Sequence, residues 1–301
     1  SAARERGADA VTRLGVVGHR GYDGLPAVLA TLRALAPTLG LTLSFEDTIR
    51  DIAGHDAAPI VAADVDAMLT LGGDGTLLRA ARIVEGTPAP IIGINLGRLG
   101  FLTCCPANKM ETALRRFVAG EHVVELRMTL DARVRDILGV ERARWRALND
   151  VVLHKGGFAR VVTMRVLANG ETVARYSADG IVVATPTGST AYNLSAGGPV
   201  VFPTLETILV TAVSVHTLAI RPLVLPPTFE VIVQAEDGPD ELLVTVDGQV
   251  GATFAVGEAL VIQRSAHSVP IVRFPEGSFF ATMREKLQWG GLLDRDEPGR
   301  C

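Results

Sequence analysis

The stretch "LTLGGDGTLLRAAR" (residues 69–82) decides the fold of the first part of this 301-residue chain. An apolar run enters a glycine cluster and a helix-forming run leaves it, which predicts a strand that turns directly into a helix. Asp74 stands between Gly73 and Gly75 in that turn. Asp and Gly are typical of tight turns, but small residues at such a turn also let a phosphate approach the backbone. The stretch alone leaves both interpretations open.

The sequence on both sides of this turn alternates between strand and helix patterns. The predicted strands are residues 14–19, 41–47, 66–71 and 90–95, and the predicted helices are residues 25–39, about 76–85 and 109–120. Short, continuously apolar strands separated by helices indicate a parallel sheet that is covered on both faces. We therefore predict an N-terminal, Rossmann-like parallel α/β domain over residues 1–122.

The pattern changes near residue 122. From residue 123 to about 275 the chain is rich in short runs of Val, Thr, Leu and Ile, which are broken by turns at 156–157, 169–170, 237–238 and 247–248. Strand alternation with few helical periods predicts a β-rich, sandwich-like second domain. The tail, about 276–301, is again helical or mixed in pattern, and we expect it to return to the first domain and complete it.

Composition narrows the class of partner. The net charge is −4 and charges of both signs are mixed along the chain, so nothing indicates a nucleic-acid or anionic-membrane surface. Apolar runs such as 180–186 and 208–213 are too short to span a bilayer. No charged-then-apolar signal segment opens the sequence, and we expect a cytoplasmic protein that acts on small molecules.

Cysteine and histidine usage predicts no metal-ligating residues. Cys104, Cys105 and Cys301 have neither a disulfide framework nor metal-ligand spacing, and the six histidines are scattered. We interpret the adjacent pair Cys104–Cys105 as reduced thiols. The sequence also lacks the P-loop motif, the first-strand dinucleotide fingerprint, the serine-hydrolase elbow and the zinc-protease helix motif.

Two further clusters carry oxygen and nitrogen groups. The segment 176–201 places hydroxyl side chains among glycines, which suits a sugar, phosphates and a base, although a loop that joins two strands has the same composition. Asn149 and Asp150 stand immediately before a predicted strand, where such a pair is by itself typical of a turn.

Together with the glycine turn, these clusters resemble the NAD kinase family. The matching motifs are "GGDGT" (72–76), "GINLGRLGFLT" (93–103), "ND" (149–150), "TPTGSTAYNLSAGGP" (185–199), "HTLAIRPLVLP" (216–226) and "DGQ" (247–249). They cover roughly residues 66 to 290 in the family's order. Diacylglycerol and sphingosine kinases share the first motif, whereas the fifteen-residue segment is specific.

The resemblance implies a reaction and its substrates. The terminal phosphoryl group of ATP or of inorganic polyphosphate would move to the 2′-hydroxyl of the adenosine ribose of NAD, with a divalent metal ion, expected to be Mg²⁺. It also implies a homodimer or homotetramer. Asp74 is then the general base, while Gly72, Gly73, Gly75 and Thr76 form the phosphate loop at the start of a helix.

The resemblance also implies roles for residues of the second domain. Asn149 and Asp150 would hold the adenosine ribose, and Asp179 would lie near the nicotinamide. The residues implied for the NAD groove are Thr190, Ala191, Tyr192 and Ser195, the candidate phosphate contacts are Arg79 and Arg160, and a further polar contact is Gln249. Each arginine could instead be a solvated surface charge. His216 could contact the ligand or be a hydrogen-bonded structural histidine.

Two positions depart from the family's pattern. Asp150 replaces the usual Glu and so has a shorter reach, and Ser177 stands where some members carry Arg.

Two other functions remain open at this point. A lipid kinase would share the phosphate loop but has no use for the fifteen-residue segment. A dinucleotide-sensing module would keep the NAD groove without needing Asp74.

Overall fold

The structure is a computed structural model that describes residues 12–97, 100–156, 161–215, 220–238 and 242–288. The chain forms two compact units, and the chain passes from one to the other at Glu125–Leu126 and at Val269–Pro270. Arg160 and His216 lie outside the described residues. No helix in the described ranges is long and apolar enough to cross a membrane.

The helices of the described residues are mostly short. In chain order they are α1 (Leu25–Leu35), α2 (Arg50–Ala53), α3 (Asp74–Ile83), α4 (Met110–Val118), α5 (Tyr192–Ser195) and α6 (Phe279–Leu287). Single 3₁₀ turns occur at Ala36–Leu39, Asp47–Ile49, Ala62–Asp64, Ala107–Lys109 and Thr187–Thr190.

The strands of the first unit come first in the chain. They are β1 (Thr12–Gly18), β2 (Leu41–Phe45), β3 (Ala58–Pro59), β4 (Ala67–Leu71), β5 (Ile91–Asn95) and β6 (Cys105–Pro106). The later strands are β7 (Val123–Arg135), β8 (Glu141–Ala147), β9 (Asp150–Lys155), β10 (Val162–Ala168), β11 (Glu171–Ala178), β12 (Gly180–Ala184), β13 (Ile208–Val213), β14 (Leu223–Leu225), β15 (Val231–Asp237), β16 (Leu242–Val246), β17 (Gln249–Phe254) and β18 (Ala259–Arg273).

The first unit contains a parallel sheet in the order β18-β5-β4-β1-β2-β3. Leu69 of β4 lies at its centre, beside Val16 of β1 and Ile92 of β5. Every residue of β4 and β5 is buried, as expected for parallel strands with covered faces. The predicted parallel α/β fold of the N-terminal domain is confirmed.

The C-terminal segment completes this sheet. Ile271, near the end of β18, pairs in parallel with Ile91 of β5. Helix α6 follows, and its N-terminus is capped by Ser278, whose side chain accepts a hydrogen bond from the backbone N–H of Ala281 at 3.2 Å. The predicted return of the tail to the first domain is confirmed.

The first helix is shorter than its periodicity predicted. Leu25, Leu29 and Leu32 form the expected buried stripe. The α-helix ends at Leu35 and not at residue 39, because Pro37 has no N–H to donate to a carbonyl of the preceding turn. A 3₁₀ turn fills the remaining residues.

The second unit is a sandwich of antiparallel sheets. One has the order β14-β13-β12-β9-β16-β17, and the other contains β11-β10-β15-β18 with β7 and β8. Side chains of both sheets share one core, for example Val166 and Val233 from one and Leu153 and Val244 from the other. The predicted β-rich, sandwich-like fold is confirmed.

Two hairpins of this unit turn through residue pairs that the sequence marked as turns. Asn169 and Gly170 have φ of 48° and 81°, and Asp247 and Gly248 have φ of 49° and 73°. Two consecutive residues with positive φ form the turn that matches the twist of antiparallel strands, which explains the Asn-Gly and Asp-Gly pairs there.

Candidate functional site

In the glycine turn, Gly73 and Gly75 border open space, whereas Gly72 is closely packed. Strand β4 ends at Leu71, and α3 begins at Asp74 with Gly73 as its N-cap. A Cβ atom on Gly73 or Gly75 would meet no atom within 4 Å, whereas one on Gly72 would lie 2.2 Å from Oγ1 of Thr76. No side chain caps the helix. The start of α3 therefore has no side-chain cap and has open space beside Gly73 and Gly75, as an anion at a helix N-terminus requires.

The Asp74 carboxylate is held by a neighbouring loop and not by its own turn. Oδ2 accepts the backbone N–H of Phe101 and Oδ1 accepts that of Leu102, both at 2.9 Å. A Cβ atom on Gly100 would lie 1.9 Å from Oδ1. The carboxylate is thus fixed in position, at the edge of a space with partial access to solvent.

The loop that holds Asp74 has its own buried polar support. Asn95, at the end of β5, donates through Nδ2 to Oγ1 of Thr103 at 3.3 Å and accepts the N–H of Gly97 through Oδ1 at 2.7 Å. Gly100 donates its N–H to the same Oγ1 at 3.2 Å. Residues 95–97 and 100–103 are therefore held by several hydrogen bonds, as a loop that positions a reactive group needs to be.

Arg79 is engaged within the first unit. Its Nε lies 2.6 Å from Oε1 of Glu46, and Nη2 donates to the carbonyl of Gly18 at 2.7 Å. The guanidinium lies on α3, one turn after the glycine cluster. Its role as a phosphate contact stays a prediction.

In the second unit, Asp247 organises the Asn149–Asp150 pair. Its carboxylate accepts the backbone N–H groups of Leu148 at 3.1 Å, Asn149 at 2.7 Å and Asp150 at 3.2 Å. The N–H of Asp247 donates in return to the carbonyl of Asp150 at 2.9 Å. The pair does not form a free surface turn, because the hairpin between β16 and β17 holds its backbone.

Asp150 is a buried carboxyl group with an altered acidity. It is only 3% exposed. Burial raises its pKa to about 7, and the negative charge of Asp247 adds to the rise, while the backbone N–H of Tyr192 donates to the carboxylate and opposes it. The group is thus poised between its charged and neutral forms near neutral pH.

The fifteen-residue segment packs directly against this pair. The N–H of Thr185 donates to the carbonyl of Asn149 at 2.9 Å, and its Oγ1 donates to the carbonyl of Leu148 at 2.6 Å. A Cβ atom on Gly188 would lie 2.0 Å from the carbonyl oxygen of Asn149. The two motifs therefore form one structure, and Gly188 is required by a backbone contact.

A buried amide closes the segment on itself. Nδ2 of Asn193 donates to the carbonyls of Ser189 at 3.2 Å and Pro199 at 3.1 Å, and Oδ1 accepts Oγ1 of Thr211 at 2.7 Å. A Cβ atom on Gly198 would meet the same amide at 2.1 Å. The buried amide of Asn193 is therefore satisfied within the segment and by β13.

The predicted groove residues lie at the surface of the segment. Tyr192 is 45% exposed, Ser195 is exposed, and Thr190 and Ala191 are half-buried. A tyrosine that is exposed above a well-ordered turn offers a face on which a base can stack.

The remaining predicted residues of this unit lie on its strands. Asp179, between β11 and β12, is ion-paired with Lys155 of β9 at 2.7 Å. Ser177 is exposed on β11, and Gln249 is the exposed first residue of β17. Nothing here assigns them a ligand, so their roles stay predictions.

The described residues contain no group of three or more His, Cys, Asp or Glu side chains that could hold a metal ion. Cys104 and Cys105 are free thiols whose sulfur atoms are 3.8 Å apart. A dedicated metal cage is therefore absent from the described part of the chain.

Sequence reasoning missed Gly100, Asn193 and Asp247 as site residues. Gly100 and Asn193 lie inside motifs that were quoted only as wholes. Asp247 lies in the "DGQ" motif and in the Asp-Gly turn at 247–248, and neither pattern indicates that its carboxylate supports a pair that is distant in sequence.

The acidity of Asp150 predicts how stability changes with pH. Its folded pKa lies above its ordinary value, so the folded chain keeps a proton that the unfolded chain has lost. The free energy of unfolding therefore falls as pH rises from about 4 to about 7. The Asp150→Asn variant lacks this pH-dependent loss. The difference in the free energy of unfolding between the variant and the parent should therefore grow by about 2–3 kcal/mol, in favour of the variant, as pH rises from about 5 to about 8.

Urea unfolding of both proteins at each pH measures this gain. Asp66→Asn, which changes a carboxylate of the first unit that accepts the N–H of Arg13 at 2.8 Å, is a matched Asp-to-Asn control outside the second unit. A constant difference between the Asp150→Asn variant and the parent across this range contradicts the raised pKa.

Comparisons with known proteins agree with one another. The model of the ATP-NAD kinase N-terminal domain matches residues 40–122, and that of the ATP-NAD kinase C-terminal domain matches residues 148–274. An NAD kinase of Gemmatimonas aurantiaca is 58% identical over 284 residues, covering 94% of this chain and 98% of that protein. An NAD kinase of Heliobacterium modesticaldum is 43% identical over 227 residues, covering 75% and 80%.

Two solved structures share the fold. The chain superposes with a TM-score of 0.85 on yeast NADH kinase complexed with NADH, at 22% identity and with 94% and 89% of the chains covered. It superposes with a TM-score of 0.70 on an NAD kinase from Archaeoglobus fulgidus in complex with ATP, at 27% identity and with 92% and 99% covered.

Proposed function

The chain belongs to the NAD kinase family, and on that premise we propose how its residues phosphorylate NAD to NADP. The reaction moves the terminal phosphoryl group of ATP to the 2′-hydroxyl of the adenosine ribose of NAD. A sugar hydroxyl is a poor nucleophile at neutral pH, and the donor phosphates repel it. The enzyme must therefore accept a proton from the hydroxyl and stabilise phosphate charge in one place.

Asp74 is the general base. The observation that carries this assignment is the fixed carboxylate, held by the amides of Phe101 and Leu102 beside an open glycine turn. Those two bonds determine where the oxygens point, and each oxygen keeps a further lone pair that can accept the hydroxyl proton. A residue that served only the turn would hydrogen-bond its own backbone.

The phosphate donor binds at the start of α3. Uncapped amides and the positive end of the helix favour an anion there, and the space above Gly73 and Gly75 leaves room for it. Backbone amides recognise phosphate oxygens in general, so inorganic polyphosphate is a second donor. A divalent metal ion, expected to be Mg²⁺, would be held mainly by the donor's phosphate oxygens and would neutralise part of their charge.

The ribose of NAD binds at Asn149 and Asp150. The carbonyl and amide groups of this pair are fixed by Asp247 and Thr185, which leaves the side chains to the sugar hydroxyls. A carboxyl group with a pKa near 7 can accept or donate a hydrogen bond to such a hydroxyl.

The base and the nicotinamide end bind along the fifteen-residue segment and its neighbours. Tyr192 stacks on a ring of NAD, and Thr190, Ala191 and Ser195 line the same groove. The further contacts in this proposal are Asp179, Ser177, Gln249, Arg79 and Arg160. The exposure of Tyr192 above a fully hydrogen-bonded turn supports this arrangement.

We propose further that the protein is a cytoplasmic homodimer or homotetramer. The β7–β8 hairpin exposes Ile137 and Leu138, which are 76% and 82% accessible, and exposed apolar groups of this kind favour contact with another chain. Light scattering on the purified protein measures the mass of the assembly.

Removal of the Tyr192 ring should weaken NAD binding by about 1–3 kcal/mol, the effect of losing one base–aromatic stack. Calorimetric titration of NAD into Tyr192→Ala measures this loss. Tyr192→Phe keeps the ring and should bind NAD nearly as the parent does. An unchanged affinity in the Ala variant removes Tyr192 from the groove.

One acceptor panel tests the proposed function. With ATP or polyphosphate as donor, NAD, NADH, sphingosine and diacylglycerol are each supplied as the acceptor. Formation of NADP from NAD, with no lipid product, is expected. Phosphorylation of a lipid instead would assign the chain to the lipid kinases that share the glycine turn, and tight NAD binding without any product would make it a sensing module.

A further inference from the structure

We propose that Arg273 is a positioning residue for Asp74: it holds the loop whose amides fix the carboxylate. This inference rests on the proposed role of Asp74 as the base. Arg273 is the last residue of β18, in the segment that returns to the first unit. It belongs to none of the motifs that the sequence analysis quoted.

The guanidinium of Arg273 grips the loop at two points. Nη2 donates to the carbonyl of Phe101 at 2.7 Å, and Nη1 donates to the carbonyl of Thr103 at 3.0 Å. The side chain is 19% exposed, and its Nε lies 3.5 Å from a carboxylate oxygen of Glu125. A planar guanidinium with several donors in a fixed fork suits two carbonyls at once, which a lysine ammonium does not.

One of the two carbonyls that Arg273 binds shares a peptide group with an amide that Asp74 uses. The Phe101 carbonyl, which accepts from Arg273, and the Leu102 N–H, which donates to Asp74, belong to the same peptide plane. Rotation of that plane would turn the Leu102 amide away from the carboxylate, so the bond of Arg273 to Phe101 determines the direction of this amide. The bond to the Thr103 carbonyl holds the next part of the loop, and the N–H of Phe101 itself donates to Asp74.

The rest of the returning segment reinforces this grip. The ring of Phe279 packs against that of Phe101 with centroids 6.1 Å apart, and Nζ of Lys286 lies 5.1 Å above the Phe101 ring. Packing limits where the Phe101 side chain lies, but a ring contact does not orient a peptide plane. The orientation depends on the directional bonds of Arg273.

Arg273→Lys tests the proposal because it keeps the charge and removes the fork. A misplacement of a catalytic group by about 1 Å can cost 10²-fold in rate, so we expect kcat to fall roughly 10–100-fold while KM for NAD changes by less than about 3-fold. In the Asp74→Asn background the same substitution should change the residual kcat by less than about 2-fold, because a residue that acts through Asp74 has nothing left to position.

A matched control and a second readout separate positioning from general stability. Arg116→Lys also alters an arginine that ties down the returning segment, through Glu276 at 2.9 Å and the ring of Phe274, and it should leave kcat unchanged. Amide hydrogen exchange at Phe101 and Leu102 should accelerate in Arg273→Lys while the amides of β4 and β5 keep their protection. This exchange is measured without turnover.

The possible results test the roles of Arg273 and Asp74 separately. Equal losses from Arg273→Lys in the parent and in the Asp74→Asn background overturn the proposal, as do unchanged exchange rates at Phe101 and Leu102. A fully active Asp74→Asn protein instead overturns the assignment of the base, whatever Arg273 does to the loop.

Discussion

Replacement of Asp74 by Asn should lower kcat by about 10²–10⁴-fold, because the amide cannot accept the proton of the ribose hydroxyl. NAD should bind with nearly the parent's affinity, since the proposed NAD contacts other than Asp74 are unchanged. NADP formation and calorimetric NAD titration measure the two halves of this result. A variant that turns over within a few-fold of the parent would show that Asp74 serves the loop and not the chemistry.

Asp74→Asn should also lower the stability of the fold. A turn alone would accept Asn, which tolerates the same backbone angles. Both carboxylate oxygens accept an amide N–H, however, so Asn places an NH₂ group opposite the N–H of Phe101 or Leu102. An unsatisfied pair of this kind costs about 1–3 kcal/mol, and thermal unfolding should show it. The control Asp66→Asn should lose stability and keep its kcat.

Replacement of Gly100 by Ala should lower kcat by roughly 10²-fold with the fold retained, which is the effect of moving a catalytic group by about 1 Å. The new methyl group would lie 1.9 Å from Oδ1 of Asp74. The obstacle is the end of a side chain that can rotate, so the carboxylate moves away from its amides and the backbone stays. NADP formation and thermal unfolding measure the two effects.

Gly97→Ala is the matched control for this change. Gly97 lies in the same loop, and a Cβ atom there would meet nothing within 4 Å. We expect the Gly97→Ala protein to keep its kcat and its unfolding temperature. If Gly100→Ala is as active as Gly97→Ala, the carboxylate does not need the position that the structure gives it.

The fold could be predicted from the sequence because its signals are local. The apolar run before Gly72 and the Asp-Gly turn at 247–248 each specify one strand end without help from distant residues. The start of α3 at Asp74, and not near residue 76, could not be predicted from periodicity, since Gly75 weakens the helical pattern. The apolar periodicity of residues 25–39 continues past Pro37, so it does not indicate the helix end at Leu35 that the missing N–H of Pro37 produces.

The candidate site could be predicted only where its residues sit inside recognisable motifs. Asp74, Asn149 and Asp150 were found in this way. The support that Asp247 gives and the role proposed for Arg273 could not be predicted, because both depend on hydrogen bonds to backbone groups far away in sequence, and such contacts leave no local pattern. Even the acidity of Asp150 depends on Asp247, which no spacing rule connects to it.

The pairing of Ile91 with Ile271 has a consequence for biosynthesis. A ribosome delivers the glycine turn long before Ile271, the partner of Ile91 in β5, and Arg273, whose guanidinium binds the Phe101 carbonyl. Until then the edge of β5 at Ile91 lacks its neighbouring strand, and an apolar strand edge of this kind invites aggregation. Closing so long a loop is slow compared with local folding. The Asp74 loop therefore acquires its final shape only after the segment that carries Ile271 and Arg273 has been made.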